Sequence, residues 1–342
     1  MAKTALITGI TGQDGAYLAK LLLEKGYEVF GGFRRAAGQS KFENLATLGI
    51  EGQIKMHDFE LAEYSNIQRT IEKIMPDEIY NLAAQSFVGA SFEVPIYTVD
   101  VNALGVMRIL EAIRSVNAKT RFYQASTSEM FGLSPPPQDE NTAFYPRSPY
   151  ANSKLLAHWA TVNYRESFGL HATSGILFNH ESPLRGPEFV TRKITRALTR
   201  IAVGHDEVLR LGNLNATRDW GFAGDYVEGM WRMLQAKNAG TYLLATGQGH
   251  SVRDFVAAAS IRLGFDLVWS GQNENEIGVD RKSGKSLVCV DPAFYRPAEV
   301  HALLGSAKKA KAELGWEHKV SFDGLVKMMV ESDLALAKKR GA

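Results

Sequence analysis

The sequence predicts an α/β fold, a doubly wound parallel sheet joined to a smaller, discontinuous α/β part. Three observations lead there. Four or five β-α repeats follow one another from the N-terminus, the first closes in a glycine turn that opens a helix, and after Asn179 the alternation loosens. At 342 residues the chain is long enough for two domains, or for one with a sizeable extension. We expect a first domain over 1–178, rejoined by about 219–250, and a second made mainly from 179–342.

Ala5-Leu6-Ile7-Thr8 reads as a short strand that ends in Gly9-Ile10-Thr11-Gly12-Gln13-Asp14-Gly15. Ala16 to Lys25 then has helical periodicity and stops at Gly26. Glycines three apart let the backbone turn sharply and approach a pyrophosphate, which a helix N-terminus stabilises with free N–H groups and its dipole. A glycine trio is weak evidence among 31 glycines, but Gly9, Gly12 and Gly15 open a βαβ unit, which favours a dinucleotide site over a plain tight turn. After the next strand, Glu28 to Phe33, an NAD site usually has an acid for the ribose 2′-hydroxyl. Arg34-Arg35 stands there instead and suits a 2′-phosphate, so NADP is expected; a solvated basic turn is the alternative.

A strand-like piece, Gly52 to His57, delivers Asp58-Phe59 to the carboxyl edge of the sheet, in position to hold an adenine, although Asp58 could equally cap the helix that follows. Ile79 to Ala84 reads as a buried strand whose small exit residues, Ala83 and Ala84, leave room for the cofactor's backbone. The helix Thr98 to Ser115 carries apolar residues at Val101, Leu104, Met107, Ile109, Leu110 and Ile113, and packs. Arg121 to Ala125 is another strand, ending at Ser126-Thr127-Ser128-Glu129. Pro135-Pro136-Pro137 reads as a surface loop. Beyond Asn179, Arg192 to Val203 is helical, Thr217-Arg218-Asp219-Trp220 looks like a turn, Tyr242 to Gly247 returns a strand to the main sheet, and 270–286 is polar enough for a loop.

Tyr150 and Lys154 are four apart, and Pro149 suits a first helical turn, so both side chains lie on one helix face. An unperturbed tyrosine has a pKa of about 10. A nearby ammonium, with an oxidised nicotinamide, favours the phenolate and brings the phenol towards use as a base near neutrality. Twelve tyrosines give roughly one chance Tyr-x-x-x-Lys, so the pattern gains its weight from the glycine turn and the hydroxyl-bearing strand end upstream.

Bulk properties exclude some classes. A formal net charge of +2 does not indicate a nucleic-acid binder, and no apolar run approaches the roughly 18 residues that span a bilayer. The single cysteine, Cys289, permits no internal disulfide; lying in an apolar run, it is expected to be a buried structural thiol in a cytoplasmic protein.

Thr8-Gly9-x-x-Gly12-x-x-Gly15 with Tyr150-x-x-x-Lys154 resembles the extended short-chain dehydrogenase/reductase family, whose fold is Rossmann-type. More closely, Gly12-Gln13-Asp14-Gly15, Asn81 to Ser86, Ser126-Thr127-Ser128-Glu129, Asn179-His180-Glu181-Ser182-Pro183 and Phe294 to Val300 resemble the GDP-mannose 4,6-dehydratases. These blocks run from the first strand almost to the C-terminus in the family's order. The resemblance implies an NADP-dependent hydro-lyase acting on a GDP-sugar, with no metal. Tyr150 would take the proton of the sugar's 4-hydroxyl, helped by Thr127, and Lys154 would hold the nicotinamide ribose. Glu129 would remove the C5 proton and help the C6 hydroxyl leave as water. It is the discriminating residue, because oxidation, reduction or epimerisation alone does not need it.

The resemblance adds Gln13, Asp14, Leu82, Ser86, Tyr97, His180 and Arg185 to the cofactor contacts. It carries Ser86, Glu129, Asn179, Arg185, Lys193, Arg218, Arg296 and Glu299 to the sugar nucleotide. Planar arginines suit a diphosphate, although several could instead form surface ion pairs. A homo-oligomer, dimer or tetramer, is also implied. Two departures stand out: Ala36 to Ser40 is shorter and less polar than the family's loop, and Leu184 replaces a common arginine. A GDP-manno-heptose therefore stays open as substrate, with a sugar-nucleotide epimerase or 4-keto reductase as further alternatives.

Overall fold

In a computed structural model, residues 2–35, 42–295 and 298–340 are described. Seven strands form a wholly parallel central sheet: β1 (Thr4–Thr8), β2 (Glu28–Phe33), β3 (Lys55–Asp58), β4 (Glu78–Asn81), β5 (Arg121–Thr127), β6 (Ala172–Leu177) and, much later in the chain, β10 (Thr241–Leu244). Their spatial order is β10-β6-β5-β4-β1-β2-β3. The order reverses between β1 and β4, and at such a switch point the loops diverge and leave a crevice at the strands' carboxyl ends.

Period-two alternation sends neighbouring side chains to opposite faces. Ala5, Ile7, Tyr80 and Tyr123 face one core with the helices Gln13–Glu24 and Ala223–Gln235, while Leu6, Ile79 and Phe122 face the other with Gly105–Val116 and Pro149–Phe168.

The remaining strands form two smaller sheets. β7 (Asn179–Glu181), β11 (Gly249–Ser251) and β15 (Ala302–Leu303) pair with β9 (Thr217–Phe222), whereas β8 (Leu209–Leu211) joins β12 (Leu267–Ser270), β13 (Ile277–Asp280) and β14 (Ser286–Val290). Helices Val190–Ala202, Val252–Arg262 and Phe322–Arg340 share an apolar core with this part, around Trp220, Phe255, Val288 and Met329. Among the described residues, no helix is long and apolar enough to cross a membrane.

Several expectations need correction. The expected turn at Thr217–Trp220 lies in β9, whose central residues are buried; Asp219 accepts the backbone N–H groups of Thr246 (2.7 Å) and Gly247 (2.8 Å), distant partners that make a polar strand tolerable. The expected loop at 270–286 contains β13, paired on both sides. Residues 51–53 form a 3₁₀ turn, so β3 begins only at Lys55. The expected helix from Thr98 to Ser115 contains a π turn at Asp100–Leu104, where the Asn102 amide bonds both backbone groups of Gln85. Cys289 is half-buried rather than buried. Asp58 does not cap the next helix; Glu63 does, accepting Ser65 N–H.

Candidate active site

The glycine turn follows β1. Gly9 adopts φ +69°, and a Cβ there would lie 2.8 Å from Ala83 N; a Cβ on Gly15 would lie 2.5 Å from Gly9 O. Only glycine permits both approaches. The Thr8 hydroxyl donates to Asn81 Oδ1 (2.7 Å) and accepts the N–H groups of Leu82 and Ala83 (3.2 Å each), tying the exits of β1 and β4 together. Gly12 is the N-cap of Gln13–Glu24 and supplies no side-chain cap, so the helix N-terminus keeps backbone donors for an anion.

Gln13 and Asp14 reach across to β7. The Gln13 amide donates to Asp14 Oδ1 (3.0 Å) and His180 O (3.1 Å), and its oxygen accepts the Ser182 hydroxyl (2.7 Å). His180 Nδ1 lies 2.7 Å from the carbonyl of Phe178, which can only accept, and Nε2 lies 2.7 Å from Asp14 Oδ2. Burial alone would lower the imidazole and raise the carboxyl. Their mutual attraction and hydrogen bonds outweigh it, holding His180 above its ordinary value and Asp14 below. Both shifts favour an imidazolium paired with a carboxylate, and His180 stacks on Tyr226 at 4.7 Å.

β5 ends at Thr127, whose hydroxyl accepts Glu129 N–H at 3.2 Å and thereby starts a short 3₁₀ turn carrying Glu129. Tyr150 and Lys154 come from Pro149–Phe168, which Ser148 caps by accepting Ala151 N–H. Thr127, Glu129, Tyr150 and Lys154 are each at most 9% exposed, yet all four face one cleft of about 470 Å³. Lys154 Nζ donates to Ala125 O at 2.6 Å, and burial lowers it to about 8.

The expected downward pull of Lys154 on Tyr150 needs correction. Burial pushes the phenol up to about 12, the hydrogen bond with Thr127 opposes this, and the Glu129 carboxylate adds to it.

The same cleft is lined by Gly9, Gly12, Gln13, Asp14, Gly15, Leu82, Ala84, Ser86, Asn179, His180 and Arg185. Among the described residues Asn179 Oδ1 is buried with no hydrogen-bond partner, and the Arg185 guanidinium lies 3.6 Å over the Phe189 ring.

Other expected residues lie outside this wall. Arg34 donates to the Tyr97 hydroxyl, and Arg35 is ion-paired with Asp58 at 2.7 Å, so these four form a polar group at the ends of β2 and β3. Ala83 backs onto Gly9, and Phe59 is 4% exposed and packs in the core. Lys193 lies 3.3 Å over the Phe294 ring, and Arg218 is buried on β9 with Nη1 donating to Thr217 O. Glu299 is partly buried in the C-terminal part, and Arg296 lies outside the described residues.

Sequence reasoning missed Thr11, Asn44, Glu188 and Phe189, which also line the cleft. The Gly186-Pro187 break after β7 was the available signal for the last two.

The sequence matches the family model described as GDP-mannose 4,6 dehydratase over residues 6–329. A GDP-mannose 4,6-dehydratase of Sinorhizobium fredii is 52% identical over 340 residues, 97% of each chain. One of Homo sapiens is 49% identical, covering 98% of this chain and 92% of its own. Among solved structures, a UDP-glucose 4-epimerase of Thermus thermophilus in complex with NAD superimposes with a TM-score of 0.79 at 26% identity, over 96% of this chain and 98% of that one. Taken with the Rossmann-type sheet and the cleft at its switch point, these matches show that the chain belongs to the GDP-mannose 4,6-dehydratase family.

Proposed function

We propose that this protein converts GDP-mannose to GDP-4-keto-6-deoxymannose by an NADP-dependent 4,6-dehydration. The observation that carries the reading is the convergence of Thr127, Glu129, Tyr150 and Lys154 on the cleft that also contains the glycine turn. An open helix N-terminus beside small walls fits a dinucleotide. Bound NADP⁺ would supply the hydride acceptor for C4 and, once reduced, the donor for C6. Tyr150, hydrogen-bonded to Thr127, takes the proton of the 4-hydroxyl as its phenolate, the form that the charge of a bound oxidised nicotinamide would favour against the effect of burial. Lys154 holds the cofactor's ribose. The resulting ketone acidifies C5–H; Glu129 removes that proton and returns it to the departing C6 hydroxyl, which leaves as water.

The Arg34 and Arg35 group at the ends of β2 and β3 supports NADP over NAD. We assign residues 1–178 with about 219–250 to cofactor binding and the rest of 179–342 mainly to the sugar nucleotide. Asn179, Lys193, Arg218, Arg296 and Glu299 are the proposed grip. Exposed Ile96, Leu104, Leu156 and Trp159 on neighbouring helices support self-association into a dimer or tetramer, and the single cysteine supports a cytoplasmic setting.

Leu184, apolar and on the cleft wall, favours a second reading in which the sugar is a GDP-manno-heptose. Incubating purified protein with GDP-mannose or the heptose and assaying for a 4-keto-6-deoxy product tests both readings. Epimer alone, or no turnover of either, would remove the dehydratase reading.

A further inference from the structure

The cleft wall formed by Leu184, Arg185 and Gly186 is held from behind by a charge pair that takes no part in the wall itself. Arg192, on Val190–Ala202, is only 8% exposed. Its Nε donates to Asp333 Oδ1 at 2.9 Å, and Nη2 lies 2.8 Å from the same oxygen. Asp333, on the C-terminal helix Phe322–Arg340, is 3% exposed, and its other oxygen accepts the Thr195 hydroxyl at 2.6 Å. With the Nε–Nη2 edge of the guanidinium held in this way, the remaining Nη1 donates to the carbonyls of Pro183 and, at 3.3 Å, Arg185. From the other side, Glu181 accepts the Thr191 hydroxyl at 2.6 Å and lies 3.1 Å from Arg185 Nε.

A buried ion pair is a poor way to gain stability. Desolvating two charges offsets much of their attraction, and an apolar pair of similar volume often does as well or better. What the pair adds is direction, because a planar guanidinium held along one edge by a carboxylate fixes where its remaining nitrogen points.

We propose that Arg192 and Asp333 are positioning residues for the reaction: the C-terminal helix, through Asp333, aims Arg192 at the 183–186 loop and so sets Arg185 relative to Tyr150. The Arg185 guanidinium is among the charges that lower Tyr150, which places the consequence at the phenol. The inference rests on the dehydratase reading for its activity assay but not for its binding assay.

The test compares three variants. Asp333→Asn keeps the volume but removes the charge that aims Arg192, and kcat/KM for GDP-mannose should fall about 10–100-fold. The limb of the pH–rate profile assigned to Tyr150 should move to higher pH as Arg185 loses its position. Arg192→Met with Asp333→Leu replaces the pair with apolar groups; it should melt near the wild-type temperature while kcat/KM and the pH profile stay altered. If both recover with stability, the pair is only structural and the proposal is overturned. Should the double variant not fold, Thr195→Val decides, since it removes one donor to Asp333 without stranding a charge. A several-fold loss with a smaller shift in the same direction is expected, and an unchanged kcat/KM and profile overturns the proposal.

If the wild type turns over neither GDP-mannose nor the GDP-manno-heptose, the dehydratase reading fails by itself. The clamp is then judged by calorimetric titration with whichever of NAD⁺ and NADP⁺ the wild type binds more tightly. About tenfold weaker binding in the variants is expected, and unchanged affinity overturns the clamp.

Discussion

Replacing Glu129 with Gln should affect two steps of the reaction in opposite directions. Tyr150 is pushed up to about 12 first by burial, with the Thr127 hydrogen bond opposing and the Glu129 carboxylate adding. A unit charge in the same cleft, in an effective dielectric of about 20, is worth on the order of 1–3 kcal/mol, or about one to two pKa units. Glutamine keeps the shape and removes that charge. Because burial is the larger cause, the phenol should fall by between about one and two units rather than further. Ultraviolet difference titration, with Tyr150→Phe as the blank, reads this directly. Proton removal from the 4-hydroxyl should then become easier, while loss of water should slow about 10²–10⁴-fold for want of the acid–base group. Reduced cofactor and a 4-keto sugar that keeps its C6 oxygen should accumulate. An unmoved Tyr150 midpoint would mean that the carboxylate does not act on the phenol, and elimination at the wild-type rate would remove Glu129 from the mechanism.

Three further outcomes are expected. Arg35→Asp breaks the pair with Asp58 and sets two carboxylates where a 2′-phosphate would lie, so the affinity for NADP relative to NAD should drop about 10–100-fold; an unchanged ratio counts against the cofactor assignment. Gly9→Ala forces φ +69° on an L-residue and puts a methyl 2.8 Å from Ala83 N, with an expected loss of about 2–5 kcal/mol read as a lower urea midpoint. The Asp14–His180 pair makes stability depend on pH. Asp14, depressed below 3.8, contributes fully above that value and loses its share as pH falls through its folded pKa. His180, raised above 6.5, contributes fully below that value and loses its share as pH rises through its folded pKa. The wild-type excess in urea midpoint over His180→Asn should therefore be greatest between those two values, and a pH-independent difference would contradict the charged pair.

The parts legible in the sequence were those whose cause is local. The strand, glycine turn and helix at Ala5 to Lys25, and the shared face of Tyr150 and Lys154, follow from periodicity and from what a helix start requires. The parts that escaped depend on partners far along the chain. β9 reads as a turn because Thr217-Arg218-Asp219 is polar, and distant partners, among them the backbone donors of Thr246, Gly247 and Gly305 and the paired strands β7, β11 and β15, make it a buried strand. Arg192 and Asp333 are 141 positions apart, so nothing local announces their pairing. Tyr150 marks the same boundary in electrostatics: spacing placed an ammonium four residues away, but the enclosure that outweighs it is a property of the folded cleft.

The late arrival of β10 has a consequence for how the protein is made. All six residues of β6 are buried in the finished sheet, with β10 covering one edge. On the ribosome, β6 emerges before β10 by the length of β7, β8, β9 and the helices Val190–Ala202 and Ala223–Gln235. For that interval the nascent chain presents an unpaired apolar strand edge, the kind of surface that recruits chaperones or other nascent chains. A fragment ending near residue 178 would keep that edge permanently. That fragment should therefore be insoluble when expressed alone and recover only when the segment through Leu244 is supplied, in the same chain or as a second one.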